Sequence, residues 1–269
     1  MLHIILFLLT VASTFFVGGW SYSLSIISIL LAHEMGHYFM SIKYGIPATL
    51  PYFIPFPLSP FGTFGAVIKM KGAIINKKAL FDIGVAGPIS GFVVAIPFII
   101  LGIKLSDIQV ISGNTSFIEL GDPLLFKIVQ ELMVGKIPSG HDLVLHPFAY
   151  AGWVGLFVTA LNLLPVGQLD GGHIVYALFG NKSRWVFFAT IAVLAVISIF
   201  YNPGWLTLLI ILLIFGMRHP KPLDIETELD SKRKYIALII LIIFALSFTP
   251  APFPSLTTGN TEKIGGIPI

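Results

Sequence analysis

Two histidines and a glutamate lie within one apolar stretch of the chain, residues 26–46, which reads ISILLAHEMGHYFMSIKYGIP. On a helix, His33 and His37 are one turn apart, about 6 Å along the axis, so both imidazoles can reach one metal ion. Glu34 lies about 100° around the helix from His33, close enough to hold a water molecule without being a ligand. This H-E-x-x-H spacing is typical of zinc hydrolases.

The rest of the chain indicates that these groups lie in a membrane. Of its 269 residues, 56% are hydrophobic and 11% are charged, whereas roughly 25% of the residues of soluble domains are charged. Apolar runs of about 20 residues predict spans near 2–19, 22–41, 79–103, 147–180, 184–201, 204–217 and 235–249. The first run could be a signal peptide, but it lacks Lys and Arg and another apolar run follows at once, which favours a retained span. Ionisable groups at membrane depth are costly and usually functional.

A catalytic zinc site usually has three protein ligands and one open position, so a third ligand must come from elsewhere in the chain. The chain has no Cys, which leaves only His and carboxylate ligands. The candidates in or beside the predicted spans are Asp170, His173 and Asp82. We favour Asp170, because Pro165 interrupts its helix and irregular backbone at membrane depth is tolerated where it lines a cavity. His173 could orient a ligand, and Asp82 could be a charge at a helix N-terminus.

The pattern of spans predicts an all-α polytopic membrane protein with about seven transmembrane helices. We expect one transmembrane domain over residues 1–249. Residues 104–146 should form an extracytoplasmic loop between two of its spans. Residues 250–269, which are rich in Pro, Gly and Thr, are predicted to be a flexible C-terminal tail.

The distribution of basic residues predicts the orientation of the chain. If the N-terminus is cytoplasmic, the inner segments carry twelve Lys and Arg residues and the outer segments four, in agreement with the positive-inside rule. We therefore expect a multi-pass protein of the cell membrane with a cytoplasmic N-terminus. His33, His37 and Asp170 then approach the cytoplasmic ends of inward-running spans, which places them at similar depth in the cytoplasmic half.

Two motifs together resemble those of the site-2 protease family of intramembrane zinc metalloproteases. That family carries H-E-x-x-H on one span and N-x-x-P-x-x-x-L-D-G on a later one. This chain has both motifs in that order, the second as NLLPVGQLDG from Asn162 to Gly171. The intervening segments FGTFGAVIKMKG and DIGVAGPISG also look like those of the family. The resemblance therefore covers about residues 20–185, the core of the predicted metalloprotease domain.

The resemblance implies a role for each residue of the two motifs. His33, His37 and Asp170 would bind one Zn²⁺ ion, and Glu34 would be the catalytic general base. Asn162 would be a second catalytic residue, because the family's Asn is thought to help hold the substrate or the developing oxyanion. An Asn that only bonds carbonyls freed at the helix break is the alternative for this position.

A segment between the second and third spans is too short to cross a membrane but is rich in Gly and in residues that favour strands. It reads FGTFGAVIKM, residues 61–70. We predict a membrane-embedded strand or hairpin whose edge, at Phe64, Gly65, Ala66 and Val67, pairs with an unwound substrate. An interfacial loop that only packs against the helices is the alternative.

The predicted function is hydrolysis of peptide bonds in or near transmembrane segments, as in regulated intramembrane proteolysis. The expected partners are a transmembrane protein substrate and the lipid bilayer. Nucleic acid is not expected, because the basic residues follow membrane topology and form no clustered face. A non-catalytic pseudoprotease and a metal transporter with the same His/His/Asp site are the alternatives. All catalytic positions are present, which argues against the first, and no internal repeat is found, which argues against the second.

Overall fold

The computed structural model of the chain describes residues 1–110, 117–215, 222–253 and 266–268. Within these ranges, helices predominate and short strands form two small sheets. The helices are α1 Leu2–Lys43, α2 Lys77–Lys104, α3 Leu124–Met133, α4 Pro147–Asn162, α5 Asp170–Phe179, α6 Ser183–Phe200, α7 Trp205–Phe215 and α8 Ser231–Ser247. The strands are β1 Tyr52–Pro55, β2 Thr63–Val67, β3 Asp107–Val110, β4 Phe117–Glu119, β5 His141–Val144 and β6 Gly266–Pro268.

Three helical stretches in the described part of the chain are long and apolar enough to cross a membrane. They are α1, α2 and the run Asp170–Phe200, which joins α5 and α6 through a short 3₁₀ turn. The predicted spans overlap helices, although the fourth span is interrupted between α4 and α5 and residues 216–217 of the sixth span lie outside the described residues. The chain is thus a largely helical protein with apolar helices of membrane-spanning length, while the number of seven spans remains a prediction.

The first two predicted spans form one helix, α1, that changes direction at a pair of glycines. Gly18 and Gly19 have non-helical backbone angles, and the φ of Gly19 is 71°, a value that residues with a Cβ seldom adopt. The hydroxyl groups of Thr14 and Ser23 hydrogen-bond across this kink at 2.8 Å. The second half of α1 therefore takes its own direction through the molecule.

The over-long predicted span 147–180 is two helices in the structure, and the break lies where the sequence analysis placed it, at Pro165. Helix α4 ends at Asn162 and α5 begins at Asp170, because Pro165 cannot continue a helix. The intervening backbone folds back tightly, and a Cβ on Gly171 would overlap the carbonyl groups of this turn. The break therefore places Asp170 in the first turn of a new helix.

Helices α1, α2 and α4 pack closely through small residues, which is common where apolar helices meet. A Cβ on Gly155 of α4 would lie 3.0 Å from Ile29 of α1. A Cβ on Gly152 of the same helix would collide with Ile99 of α2. This packing holds α2 and α4 against α1, the helix that carries His33 and His37.

The predicted strand region between the second and third spans is an antiparallel hairpin of β1 and β2. Tyr52 pairs with Val67 and Phe53 with Ala66, and the register then shifts at an irregularity. Its position within the membrane remains a prediction.

The turn of this hairpin is held by hydroxyl groups from two helices. The three consecutive carbonyls of residues 60–62 accept hydrogen bonds from Tyr150 at 2.8 Å, Tyr22 at 2.9 Å and Ser13 at 2.5 Å. All three donor residues are buried. The hairpin is therefore fixed to α1 and α4 at its turn.

The second sheet shows that the all-α expectation is wrong outside the helical bundle. Its strand order is β3-β5-β6-β4, with β3 antiparallel to β5 and β6 antiparallel to β4. Most of the sheet and α3 belong to the segment 104–146, predicted as a loop. Of the predicted tail, residues 254–265 and 269 lie outside the described residues, whereas 266–268 form β6.

Candidate metal centre

Three side chains from distant parts of the sequence meet between α1, α2 and α5. The Nε2 atoms of His33 and His37 lie 3.2 and 3.3 Å from Oδ2 of Asp170 and 3.1 Å from each other. Tetrahedral zinc with bonds of about 2.0–2.1 Å requires ligand atoms about 3.3–3.4 Å apart. The three atoms therefore match one face of such a tetrahedron. We refer to these atoms, Nε2 of His33, Nε2 of His37 and Oδ2 of Asp170, as the donor triangle. Both the donor types and their spacing fit a zinc ion with one further position open to solvent or substrate.

Asp170 is the carboxylate that completes this group, as the sequence led us to expect. Among the described residues, it joins His33 and His37 in a set whose ligand atoms all lie within 4.8 Å of one another. His173 lines the same cavity but is not part of the set. Asp82, the other candidate, forms an ion pair with Arg233, so it is neither a ligand nor a simple helix-end charge.

Both imidazole rings pack against helix α2. Nδ1 of His37 lies 2.8 Å from the backbone carbonyl of Ile83 in a buried contact. A carbonyl can only accept a hydrogen bond, so Nδ1 of His37 carries the proton. The lone pair of Nε2 is then free to bind a metal ion together with His33 and Asp170. A Cβ on Gly91 would lie 3.2 Å from His33, and a Cβ on Gly87 would overlap the His37 ring. Glycine at both positions therefore leaves the space that the imidazoles occupy.

The two remaining predicted catalytic residues border the donor triangle. Glu34 is only 7% exposed and lines the cavity beside the donors. Ile68, directly after β2, lines the same cavity as Glu34. Asn162 ends α4 and places its Nδ2 atom 3.2 Å from Nε2 of His33. The structure thus brings a carboxylate and an amide into the cavity that contains the three donor atoms.

A cavity of about 450 Å³ opens from the donor triangle toward the hairpin. Two of the four predicted substrate-binding residues, Ala66 and Val67, line this cavity. Phe64 does not, because it is 67% exposed and stacks on Phe56, and Gly65 is also absent from the lining.

Several cavity residues were missed by the sequence analysis. Ile68 and Met70 continue the chain beyond the predicted edge, Ile74 lies further along the same segment, and Gln168 belongs to the turn before α5. Ile68 and Met70 lie within the segment 61–70 that the sequence predicted to be strand-like, although the predicted substrate-binding edge stopped at Val67. Nothing in the local sequence identifies Ile74 or Gln168, because their position depends on how the chain folds back over α1.

The sequence of the chain matches a known family of peptidases. Residues 21–201 match the profile of peptidase family M50. The chain is 27% identical over 242 residues to the probable zinc metalloprotease EGY2, chloroplastic, of Arabidopsis thaliana, which covers 89% of this chain and 43% of that protein. It is 30% identical over 233 residues to the probable zinc metalloprotease EGY1, chloroplastic, of Oryza sativa subsp. japonica, covering 84% and 39%. The chain therefore spans about two-fifths of the length of these relatives.

The chain is also similar to solved structures, of which one is a site-2 protease. The site-2 protease from Methanocaldococcus jannaschii shares 17% sequence identity, with a TM-score of 0.40 over 85% of this chain and 92% of that one.

Proposed function

Because this chain belongs to peptidase family M50, the site-2 protease family, we propose that it is an intramembrane zinc endopeptidase. In this proposal it hydrolyses peptide bonds in or near the transmembrane segments of other membrane proteins. The observation that carries the proposal is the triangle of donor atoms from His33, His37 and Asp170. We assign these three residues as the zinc ligands, and Glu34 and Asn162 as the residues that act on the substrate.

The chemistry follows from the position of each side chain. His33, His37 and Asp170 would hold the zinc ion, which when bound would supply the Lewis acidity that polarises a peptide carbonyl and favours ionisation of a water molecule. Glu34 takes the proton from the attacking water and then delivers it to the nitrogen of the leaving amine. The Nδ2 group of Asn162 donates to the carbonyl oxygen as negative charge develops on it. Burial of Glu34 keeps bulk water from competing for its carboxylate.

The substrate must be unwound before it can react, because a helix shields its own peptide bonds. Strand β2 pairs with β1 on one side, and no other described strand pairs with its second edge. Ala66, Val67 and the following Ile68 border the cavity beside the donors. We propose that an extended substrate segment adds to this edge, which would deliver backbone hydrogen bonds without selecting particular side chains.

Glu34→Gln separates this proposal from its alternatives. The amide keeps the shape of the side chain but cannot accept a proton, so we expect cleavage of a reconstituted transmembrane substrate to fall by about 10²–10⁴-fold. Zinc content, measured by mass spectrometry of the purified protein, should stay at the wild-type level. Glu131→Gln, an exposed change on α3, is the matched control.

Two other outcomes have defined meanings. Unchanged cleavage by the Glu34→Gln protein would reject the assigned general base. Zinc accumulation in proteoliposomes by a wild-type protein that cleaves nothing would favour the metal transporter.

A further inference from the structure

An ion-pair cluster joins three helices beside the metal centre. Arg233 of α8 donates to Asp82 of α2 through Nε at 2.8 Å and through Nη2 at 2.5 Å, one bond to each carboxylate oxygen. Tyr44, which directly follows α1, donates its hydroxyl to the same carboxylate at 2.5 Å. Arg233 also binds Asp230 at 2.6 Å, and Asp230 caps the N-terminus of α8. We refer to these four residues as the Asp82 cluster.

The geometry of this cluster is more restrictive than that of a surface ion pair. The side chains of Arg233 and Asp82 are 19% and 15% exposed, so both charges are largely withdrawn from solvent. A two-pronged pairing of guanidinium with carboxylate fixes direction as well as distance. The cluster therefore holds the start of α2 at one place relative to α1 and α8.

Asp82 is directly linked to a zinc ligand through the backbone. Ile83, the next residue, presents the carbonyl that accepts the Nδ1 proton of His37. A hydrogen bond of this kind sets the tautomer and ring orientation of a metal-binding histidine. On the other side, Tyr44 follows His37 by seven residues of α1, so the two lie within about 20° on one helix face. The two adjacent residues Asp82 and Ile83 thus contact α1 at two points.

We propose that Asp82, Arg233 and Tyr44 are positioning residues that hold the Ile83 carbonyl against His37 and so preorganise the zinc centre. The inference rests on the proposed function, because it concerns the same centre, but its main readout is zinc affinity and does not require cleavage. Helix α8, which contributes no residue to the donor triangle, thereby controls its geometry. Within the described part of the chain, Arg233 hydrogen-bonds Asp82, Asp230 and Tyr44, and none of these three residues lines the cavity.

The test measures zinc affinity of the purified full chain in nanodiscs by competition with a chelating dye. Arg233→Ala and Asp82→Asn should each weaken zinc binding by about 10- to 100-fold, the range seen when groups that orient metal ligands are removed. Arg233→Lys keeps the charge without the two-pronged pairing and should have an intermediate effect. Lys232→Ala removes an exposed cation from the same turn of α8 and should leave the affinity unchanged.

The remaining measurements separate positioning from a merely structural role. In a cleavage assay at zinc concentrations that saturate the site, the Asp82 and Arg233 variants should show a lower kcat with an unchanged KM. Variants that lose thermal stability but bind zinc with wild-type affinity would overturn the proposal. If Arg233→Ala does not fold, Tyr44→Phe and Arg233→Lys decide the matter, since wild-type affinity in both would equally overturn it.

If the proposed function is wrong, cleavage is absent while the differences in zinc affinity remain. A wild-type protein that binds zinc but cleaves no transmembrane substrate would remove the proposed function while leaving the affinity differences in place.

Discussion

Two glycines of α2 make the metal centre possible, because they leave room for its imidazoles. A methyl group at Gly87 would overlap the His37 ring, whereas one at Gly91 would meet His33 at 3.2 Å and require only a small shift. We predict that Gly87→Ala loses most of its bound zinc and its cleavage activity, and that Gly91→Ala loses less. Zinc content and cleavage rate of the purified variants check this.

The control for these variants is Gly72→Ala. A Cβ there would meet only Ile46, at an ordinary 3.9 Å, so zinc content and activity should be unchanged. A Gly87→Ala protein that kept its zinc and its activity would contradict the placement of His37 against α2.

Asp170 offers a second test at the residue scale. Asp170→Asn keeps the shape of the side chain but removes the charge that balances the cation, so zinc affinity should fall by at least about tenfold. His173→Gln changes a neighbour that lines the cavity without belonging to the donor set, and it should retain zinc. If the two variants behaved in the opposite way, His173 would be the third ligand.

The histidines and Glu34 could be predicted from the sequence because they lie within one helical turn. Asp170 required a further argument, from the proline and glycines that break its helix. The Ile83 carbonyl and the clearances at Gly87 and Gly91 could not be predicted, because they depend on the depth at which α2 packs against α1. That register is a property of tertiary packing and leaves no local pattern.

At the scale of elements, the hairpin depends on hydroxyl donors at its turn. Tyr150→Phe removes the hydroxyl that donates to the Pro60 carbonyl, and a hydrogen bond within a protein contributes about 0.5–1.5 kcal/mol to stability. Since the hairpin borders the cavity, we expect a lower melting temperature and a higher KM for a transmembrane substrate. Tyr235→Phe, at a position 71% exposed, should change neither. An unaltered KM in the Tyr150→Phe protein would show that the turn does not position the strand.

The segment before α3 contains a carboxyl group that should make stability depend on pH. Burial, together with the nearby Asp142, raises the pKa of Asp122 to about 7, whereas an unfolded Asp has a pKa of about 3.9. The folded state thus holds this proton more tightly, so the stabilisation is full below about pH 4 and is lost as the pH rises through 7.

Asp122→Asn should remove this dependence and raise the melting temperature at pH 8 relative to wild type. Thermal unfolding between pH 5 and 8 measures it, with the exposed Asp107→Asn as control. A wild-type melting temperature that rose steadily over this range, in parallel with the variant, would contradict the assignment.

The helices of the predicted spans could be predicted from the sequence, whereas α3 and the second sheet could not. Long apolar runs mark those helices, and Pro165 marks the break before α5. The strands β3, β4 and β5 are three or four residues long, too short for an alternating pattern to emerge. Their sheet also includes β6 from the far end of the chain, a pairing that depends on long-range contacts.

For the whole molecule, composition alone indicated a membrane protein, because a chain with 11% charged residues cannot cover itself with a polar surface. The direction of insertion is a separate matter that rests on the asymmetry of Lys and Arg. Helix α2 bears both on membrane insertion and on its direction. Its 28 residues span about 42 Å, more than the roughly 30 Å of a hydrocarbon core, so its two ends should lie on opposite sides of the membrane.

Helix α2 also leads to a prediction of the side of the membrane from which water reaches the metal centre. Ile83 lies six residues after the start of α2 at Lys77, about 9 Å along the axis, so His37 is held near that end. The positive-inside rule predicts that this is the cytoplasmic end. Since the chain has no Cys, single cysteines can report the orientation in intact cells. We expect Lys182→Cys to react with a membrane-impermeant maleimide only after permeabilisation and Ser139→Cys to react before it. The reverse pattern would place the centre in the opposite half of the bilayer.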